Sequence, residues 1–557
     1  MWMLSIVLVL SVVLAACSKD NSGGTTGNQT SNQTQNQTQN TNTADSNAAN
    51  DKVNPPGVFP IVNEEITLKV LVRNNDRVLD WNNNYTTEWI REKTNIKLEF
   101  EVASNTGADE ILNLALASGD YPDIIMGMPV VPSMLMNYGS AGVFLPLQDI
   151  IKEYGDEILK AFDEVDYLED LITAPDGNIY SIPDVNECYH CTMNRKMFVY
   201  QPWLEAVGMN APTTTDEFYE MLKAFKTQDP NGNNIADEIP LSGRMSQYFE
   251  AFLMNAFIYH DGDKRLRIVN GQIDAIYDEP EYREGIRYFK KLYDEGLIAP
   301  ETFTQDEGGV RAMAENPDIP ILGSVVAHSP TSFAQLDLEG KGRFLDWVPV
   351  SPVKGPGGLQ VASYLPWGAD IGRFVITNKN QYPEASVRLA DLLYSQEGTM
   401  ISTSGKEGNE WGWAEPGTKG INGLPAIYWT KYLGDTQTNE HYAQRAPNYR
   451  SSLFRAGEML PEGEVTAASL YEEYTAKYYE PYKASLDSIV PPLFFTEAQA
   501  EEILDIDVSL NEYVKASFAQ FVTGQLDIDK DWDNYVKTLD SMGLNKYLEV
   551  YNEAYSG

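Results

Sequence analysis

Cysteine, histidine and cationic side chains are scarce in this chain. Three Cys in 557 residues exclude a small disulfide-stapled domain. The His residues, at 190, 260, 328 and 441, leave little for a histidine-based metal centre. Only 41 Lys and Arg stand against 81 Asp and Glu, a formal charge of −40. That balance argues against binding along a phosphate backbone, where affinity comes from cations displacing counterions. Gly-x-Ser-x-Gly, His-Glu-x-x-His and phosphate-binding Gly-Lys-Ser/Thr motifs are missing, and with them the commonest signatures of esterases, zinc proteases and nucleotide hydrolases. No repeat of roughly 20–50 residues is visible. What is present is core material: 43% hydrophobic and 11% aromatic residues, including 32 Tyr and 10 Trp. At about 150 residues per domain this length predicts three or four units, or two large lobes.

The one long apolar run is N-terminal. Leu4 to Leu14, followed by Ala15-Ala16-Cys17, has the length of a secretory h-region and is too short to cross a hydrocarbon core of roughly 30 Å. Leu14-Ala-Ala-Cys17 resembles the lipobox of bacterial lipoproteins, which implies cleavage before Cys17, lipidation of that thiol with palmitate among its acyl chains, and loss of a signal peptide at 1–16. Met1-Trp2-Met3 lacks the usual Lys or Arg, a departure that leaves room for an earlier translation start. Residues 17–60 then read as anchor and tether. Asn28-Gln-Thr, Asn32-Gln-Thr and Asn36-Gln-Thr recur in a stretch too polar to offset its ordering entropy. The triplets match a glycosylation acceptor pattern, and read equally as a polar spacer across a cell envelope.

Beyond the tether, Ile66–Val72 reads as a strand, 83–94 as a helix, Ile96–Val102 as a second strand, 107–118 as a helix stopped by Gly119, and Asp123–Met126 as a short buried strand. That alternation predicts an α/β sheet with parallel pairs, which places ligands at the carboxyl ends of the strands. Helices dominate downstream. Thr214 with Glu217, and Thr496 with Gln499, have capping-box spacing, and Arg373–Thr377 reads as a further strand before a helix at 383–397.

The stretch with most chemical content is Asp229-Pro-Asn231-Gly-Asn233-Asn-Ile235-Ala-Asp237-Glu238. Oxygen-bearing side chains at positions 1, 3 and 5, a carbonyl at 7 and acids at 9 and 10 suit Ca²⁺, which takes six to eight oxygens. The pattern is not a full EF-hand: position 6 is Asn234 and position 12 is Pro240. Its continuation from a helix predicts a structural ion bracing that helix end. An ordinary Asn/Asp/Gly turn is the alternative.

From this loop outward the sequence resembles the extracellular solute-binding proteins of family 1, the lipoprotein sugar-binding components of bacterial ABC importers. The likeness is carried by Leu114–Asp123, Tyr180–Pro183, Pro212–Phe218, Tyr394–Gly398, Gly408–Trp411, Asp527–Trp532 and Met542–Leu544, in order over the mature chain. It implies a two-lobed α/β fold of the type II periplasmic-binding-protein kind, with discontinuous lobes and a hinge. The expected division is 61–185 with 350–400 as lobe 1, and 186–349 with 401–557, including the calcium loop, as lobe 2. It further implies Ca²⁺ held by Asp229, Asn231, Asn233, the Ile235 carbonyl, Asp237 and Glu238. The implied function is non-enzymatic: a monomer, lipid-anchored outside the cell membrane, captures an oligosaccharide and delivers it to ABC permease subunits.

Sugars stack their C–H faces on aromatic rings while polar side chains bond their hydroxyls. By similarity to maltodextrin-type binders, the expected contacts are Arg73, Asn75, Asp76 and Trp81 after the first strand, Met128 after the third, Glu187 in the hinge, and Tyr248 and His328 in the second lobe. Trp367, Trp411 and Trp413 add rings in Gly-rich, non-periodic segments; Trp203 reads as core. Cys188-Tyr-His190-Cys191 matches four letters of a thioredoxin-like motif; a local structural disulfide and a free thiol pair are the other readings. Two further functions share these features: a surface-anchored carbohydrate-active enzyme (glycoside hydrolase or polysaccharide lyase), and an adhesin or sensor using the same clamp. Because the candidate loops offer mainly Arg73, with Lys406 near the tryptophans, the expected ligand is a neutral plant-polysaccharide fragment.

Overall fold

The computed structural model describes residues 53–105, 107–247, 249–334, 343–431, 437–461 and 466–556. Cys17, the Asn-Gln-Thr run and Tyr248 lie outside them. Part of the expected tether is packed: Val53 is buried and pairs with Val62.

The chain first lays down β1 (Ile66–Arg73), α1 (Tyr85–Thr94), β2 (Ile96–Ala103), α2 (Ala108–Ser118), β3 (Ile124–Met126), α3 (Pro132–Ser140) and β4 (Ile182–Asn186). It then crosses into a second half containing β5 (Lys196–Tyr200), α4 (Thr215–Thr227), α5 (Pro280–Asp294), β6 (Ser324–Ala327) and β7 (Trp347–Val350). It returns for β8 (Ala369–Ile376), α6 (Pro383–Tyr394), β9 (Trp411–Trp413), β10 (Tyr428–Thr430) and β11 (Tyr449–Arg450), and crosses once more to end in helices that include α7 (Glu497–Thr523).

The first sheet has the order β11-β4-β8-β3-β1-β2. β8 runs antiparallel to both neighbours, and the other pairings are parallel. Strand alternation explains why this sheet is covered on both faces. Leu68, Val70 and Val72 of β1, with Ile124, Met126, Phe374 and Ile376, enter one hydrophobic layer; Leu71, Ile125 and Val375 enter the other. The second half carries the antiparallel sheet β6-β5-β7 and its own large core, to which Trp203, Phe225, Phe289 and Phe518 contribute.

Local rules hold at several helix ends. Asn84 caps α1 by accepting from the Thr86 N–H at 3.0 Å, Gly119 and Gly524 close α2 and α7 with positive φ, and Thr496 and Gln499 form the reciprocal box. The Thr214 box is only half made. Thr214 Oγ1 accepts from the Glu217 N–H, but the Glu217 carboxylate turns to the N–H and hydroxyl of Thr213.

Two boundaries differ from expectation. Residues 401–460 were expected with the second lobe, yet Met400, Ile401, Trp411, Tyr428 and Phe454 pack against Tyr85 and Trp89 of α1 in the first half. Val350, Val353 and Ala362, expected with the first lobe, lie in the second core. Sequence distance misled because each half is finished by chain that leaves and comes back.

Candidate functional site between the halves

Because β8 alone opposes the others, the carboxyl ends of β1, β2, β3, β4 and β11 share one edge with the start of β8. That edge gathers Arg73, Asn105, Gly127, Asn186, Arg450 and the segment Ala369–Arg373. Two crossings run side by side here. The Asn186 N–H donates to the Gly368 carbonyl at 2.6 Å and the Leu365 N–H to the Thr192 carbonyl at 2.7 Å. Glycine is required at 368, since a Cβ would stand 2.6 Å from the Asn186 carbonyl oxygen.

Beside these crossings lies a cavity of about 300 Å³ walled by Asp184, Asn186, Thr192, Asn194, Trp367, Asp370 and the Cys188–Cys191 disulfide. Leu365 and Trp367 also wall a second cavity, of about 460 Å³ and mainly apolar, between Val131 and Pro132 of the first half and Ile489–Leu493, Ile503 and Leu504 of the second. The half-buried Trp367 ring thus stands between a polar and an apolar compartment, an arrangement suited to a ligand with both kinds of surface.

Charge at this edge is unusual. Asp184 is paired with Arg373 and Arg450, both at 3.9 Å, while its Oδ1 has no hydrogen-bond partner. Burial raises its carboxyl above the ordinary range, against the pull of Arg450 and Arg373. Arg373 also pairs with Asp370. Burial and the neighbouring Arg373 and Arg73 bring the Arg445 guanidinium down to about 10. Across the gap, His190 Nδ1 meets Glu472 Oε1 at 3.1 Å, and its ring lies 5.1 Å from Tyr471 and 5.9 Å from His328. Burial, and then the charge of Lys196, push His328 down to about 3, so its ring is neutral.

The expected contacts are redistributed. Trp81 is 3% exposed and stacks on Tyr442 at 5.2 Å, with Phe100 at 5.5 Å. Trp411 is fully buried, its Nε1 donating to the Gly405 carbonyl at 2.8 Å. Both rings are core and offer no open face, which corrects their reading as platforms. Met128 is likewise packed, against the layer that includes Leu135 and Tyr180. Trp413 is 41% exposed on the β9–β10 hairpin, edge-on to Trp411, and lines neither cavity. Asn75 is spent on its own turn, accepting from the Arg77 N–H at 3.0 Å, and Asp76 is exposed beside it. Glu187 accepts from the Ser452 N–H at 2.9 Å. Trp367 lines both cavities, Arg73 ends β1 at the same sheet edge, and His328 is packed edge-on against His190. Asp184, Asn186, Asp370, Arg373 and Arg445 were missed; each is unremarkable locally, and only the fold brings them together.

The Cys-x-His-Cys segment closes a disulfide with Cα atoms 5.2 Å apart. Cys188, His190 and Cys191 are close enough for one ion, but both sulfurs are used in that bond.

The Asp229–Glu238 loop follows α4 directly. Asp229, Gly232 and Asn234 take positive φ, and Asp229 accepts from the N–H groups of Asn233 and Asn234 at 3.1 and 3.0 Å. Asn231 and Asn233 turn their amides to Asp237 at 2.9 and 3.0 Å, and the Ile235 carbonyl accepts from the Asp237 N–H. Glu238 Oε1 is buried with no partner, and burial, then Asp237 and Asp229, raise its carboxyl. Acids crowded round an orphaned oxygen fit a divalent cation.

The model of the bacterial extracellular solute-binding proteins matches residues 80–400. The chain belongs to that family. This solute-binding protein is 28% identical over 513 residues to the fructooligosaccharide ABC transporter substrate-binding protein FusA of Streptococcus pneumoniae serotype 4, spanning 88% of this chain and 87% of that one. It is 23% identical to the lipoprotein LipO of Bacillus subtilis, over 80% and 83% of the two chains. In three dimensions it overlays on FusA in complex with kestose with a TM-score of 0.74 at 24% identity, covering 88% of this chain and 99% of that one. An EF-hand mutant of FusA with fructo-nystose gives the same TM-score of 0.74. A human-milk-oligosaccharide-binding solute-binding protein from Bifidobacterium longum infantis gives 0.75 at 21% identity, covering 88% and 98%. These solved structures share its two-lobed α/β fold.

Proposed function

We propose that this solute-binding protein captures an oligosaccharide between its two halves and hands it to the permease of an ABC importer, without catalysing a reaction. The observation that carries this reading is Trp367, set between a polar and an apolar cavity where the crossings meet. A sugar ring presents that same pair of surfaces. The names of FusA and of the human-milk-oligosaccharide binder support it. The test is calorimetric titration with an oligosaccharide panel alongside chromatography of the sugars after incubation. Saturable binding with unaltered sugars is expected; products formed from any of them would make the protein an enzyme instead.

The same proposal anchors the chain to the membrane by lipid on Cys17, as the Leu-Ala-Ala-Cys segment and the name of LipO suggest. Mass spectrometry of the membrane-extracted protein should find an acylated N-terminal Cys17. It also places Ca²⁺ in the 229–238 loop, held by Asp229, Asn231, Asn233, the Ile235 carbonyl, Asp237 and Glu238. The unpartnered Glu238 oxygen and the EF-hand named for FusA support that assignment. When bound, the ion would offset two of the three carboxylate charges and fasten the turn to α4; no residue there reaches the cleft cavities.

A further inference from the structure

The edge of the first sheet collects guanidinium groups that the linear sequence keeps apart. Arg73 ends β1, Arg77 lies four residues on, Arg373 sits in β8 and Arg445 precedes β11. Arg73 Nε and Arg445 Nη2 reach the same acceptor, Asn105 Oδ1, at 2.9 and 3.4 Å. Arg445 crosses directly over Gly127, where a Cβ would stand 3.1 Å from the Arg445 Cδ. The glycine thus lets the guanidinium lie against the end of β3.

Carboxylates do not balance this group. Asp370 is taken by Arg373, and Asp184 lies between Arg373 and Arg450. Among the described residues, no carboxylate forms an ion pair with Arg73, Arg77 or Arg445. The Nε atoms of Arg373 and Arg445 are buried without an acceptor. In a chain of net charge −40, leaving partly buried like charges side by side is costly, and an anion bound among them would relieve that cost. Burial first, and then Arg373, Arg73 and Arg77, disfavour the charge of Arg445, against the pull of Asp370.

We propose that this edge receives the carboxylates of an acidic oligosaccharide, a uronate chain, with Arg73 and Arg445 as the recognising pair. The inference rests on the oligosaccharide-binding reading above and narrows its ligand class, in place of the neutral sugar expected from the loops alone. A planar carboxylate matches the guanidinium fork in two parallel hydrogen bonds. Trp367, on the cavity walled by the Asp184 and Asp370 that pair with Arg373, supplies the face for an adjoining ring.

The test is calorimetric titration of the full chain with oligogalacturonates, oligomannuronates and acidic xylan oligosaccharides, each also in carboxyl-reduced form, and with neutral fructo-oligosaccharides. At least one acidic set should bind. Carboxyl reduction should weaken it by about tenfold or more, the size of one lost charge-assisted pair. Affinity for the acid should fall as salt rises. Arg73→Gln and Arg445→Gln should each weaken the acidic ligand about tenfold while leaving its reduced form unchanged; thermal melts verify folding, and Arg73→Gln, at a strand end, serves if Arg445→Gln does not fold. Neutral sugars binding as tightly as acidic ones, or both variants losing the two forms equally, would overturn this inference and leave oligosaccharide capture standing. Absence of binding by every sugar would overturn both.

Discussion

Lys196 is 2% exposed, and its ammonium donates to the His190 carbonyl at 2.7 Å and to that of Met193. Burial lowers it to about 7. Unfolded, a lysine titrates near about 10.4, so between these values the unfolded chain holds the extra proton and stability rises with pH. Lys196→Met removes that contribution. Its melting temperature relative to the parent should therefore become less favourable as pH is raised from about 7 to about 10. A difference independent of pH would show that the amine is not depressed. The tryptophans separate in the same way. Trp411→Ala, emptying a buried site, should cost about 3–5 kcal/mol by denaturant unfolding. Trp367→Ala should instead weaken sugar binding roughly three- to tenfold, with a small change in stability.

At the scale of elements, the 229–238 loop makes its own prediction. An ion bound a hundredfold above its dissociation constant stabilises by about 2.7 kcal/mol, so chelation should lower the melting temperature by a few degrees. Asp237→Asn should show a smaller loss on chelation, because it starts with a weaker site. Elements of this kind were the legible part of the sequence. The strands at 66–73, 96–103 and 124–126 and the helices between them follow from apolar spacing, and Thr496, Gln499 and Gly524 mark both ends of α7. The 229–238 loop is readable because its groups are neighbours in the chain. The arginine edge is not, because Arg73, Arg373 and Arg445 come from three distant segments. Aromatics misled for a related reason: a Gly-rich setting such as that of Trp411 looks exposed in sequence, yet the β9–β10 hairpin folds its ring onto α1.

At the scale of the whole molecule, each half is built from separated pieces. A fragment ending at residue 350 would lack β8, which lies between β3 and β4 in the first sheet, and α7, which covers the second core. Such a fragment should be degraded in limited proteolysis under conditions where the full chain resists. Survival of residues 53–350 as a resistant core would contradict this division.

The three crossings also set a timetable. The first sheet cannot close until β11, at residues 449–450, has been synthesised, and the second core waits for helices beyond residue 497. Contacts of such sequence separation carry a high loop-closure cost and fold slowly. A chain that is threaded through a membrane unfolded completes its fold only after the passage. An architecture that keeps both halves unfinished until the last segments emerge would hold the chain pliable for that passage, and let its two halves set almost together once outside.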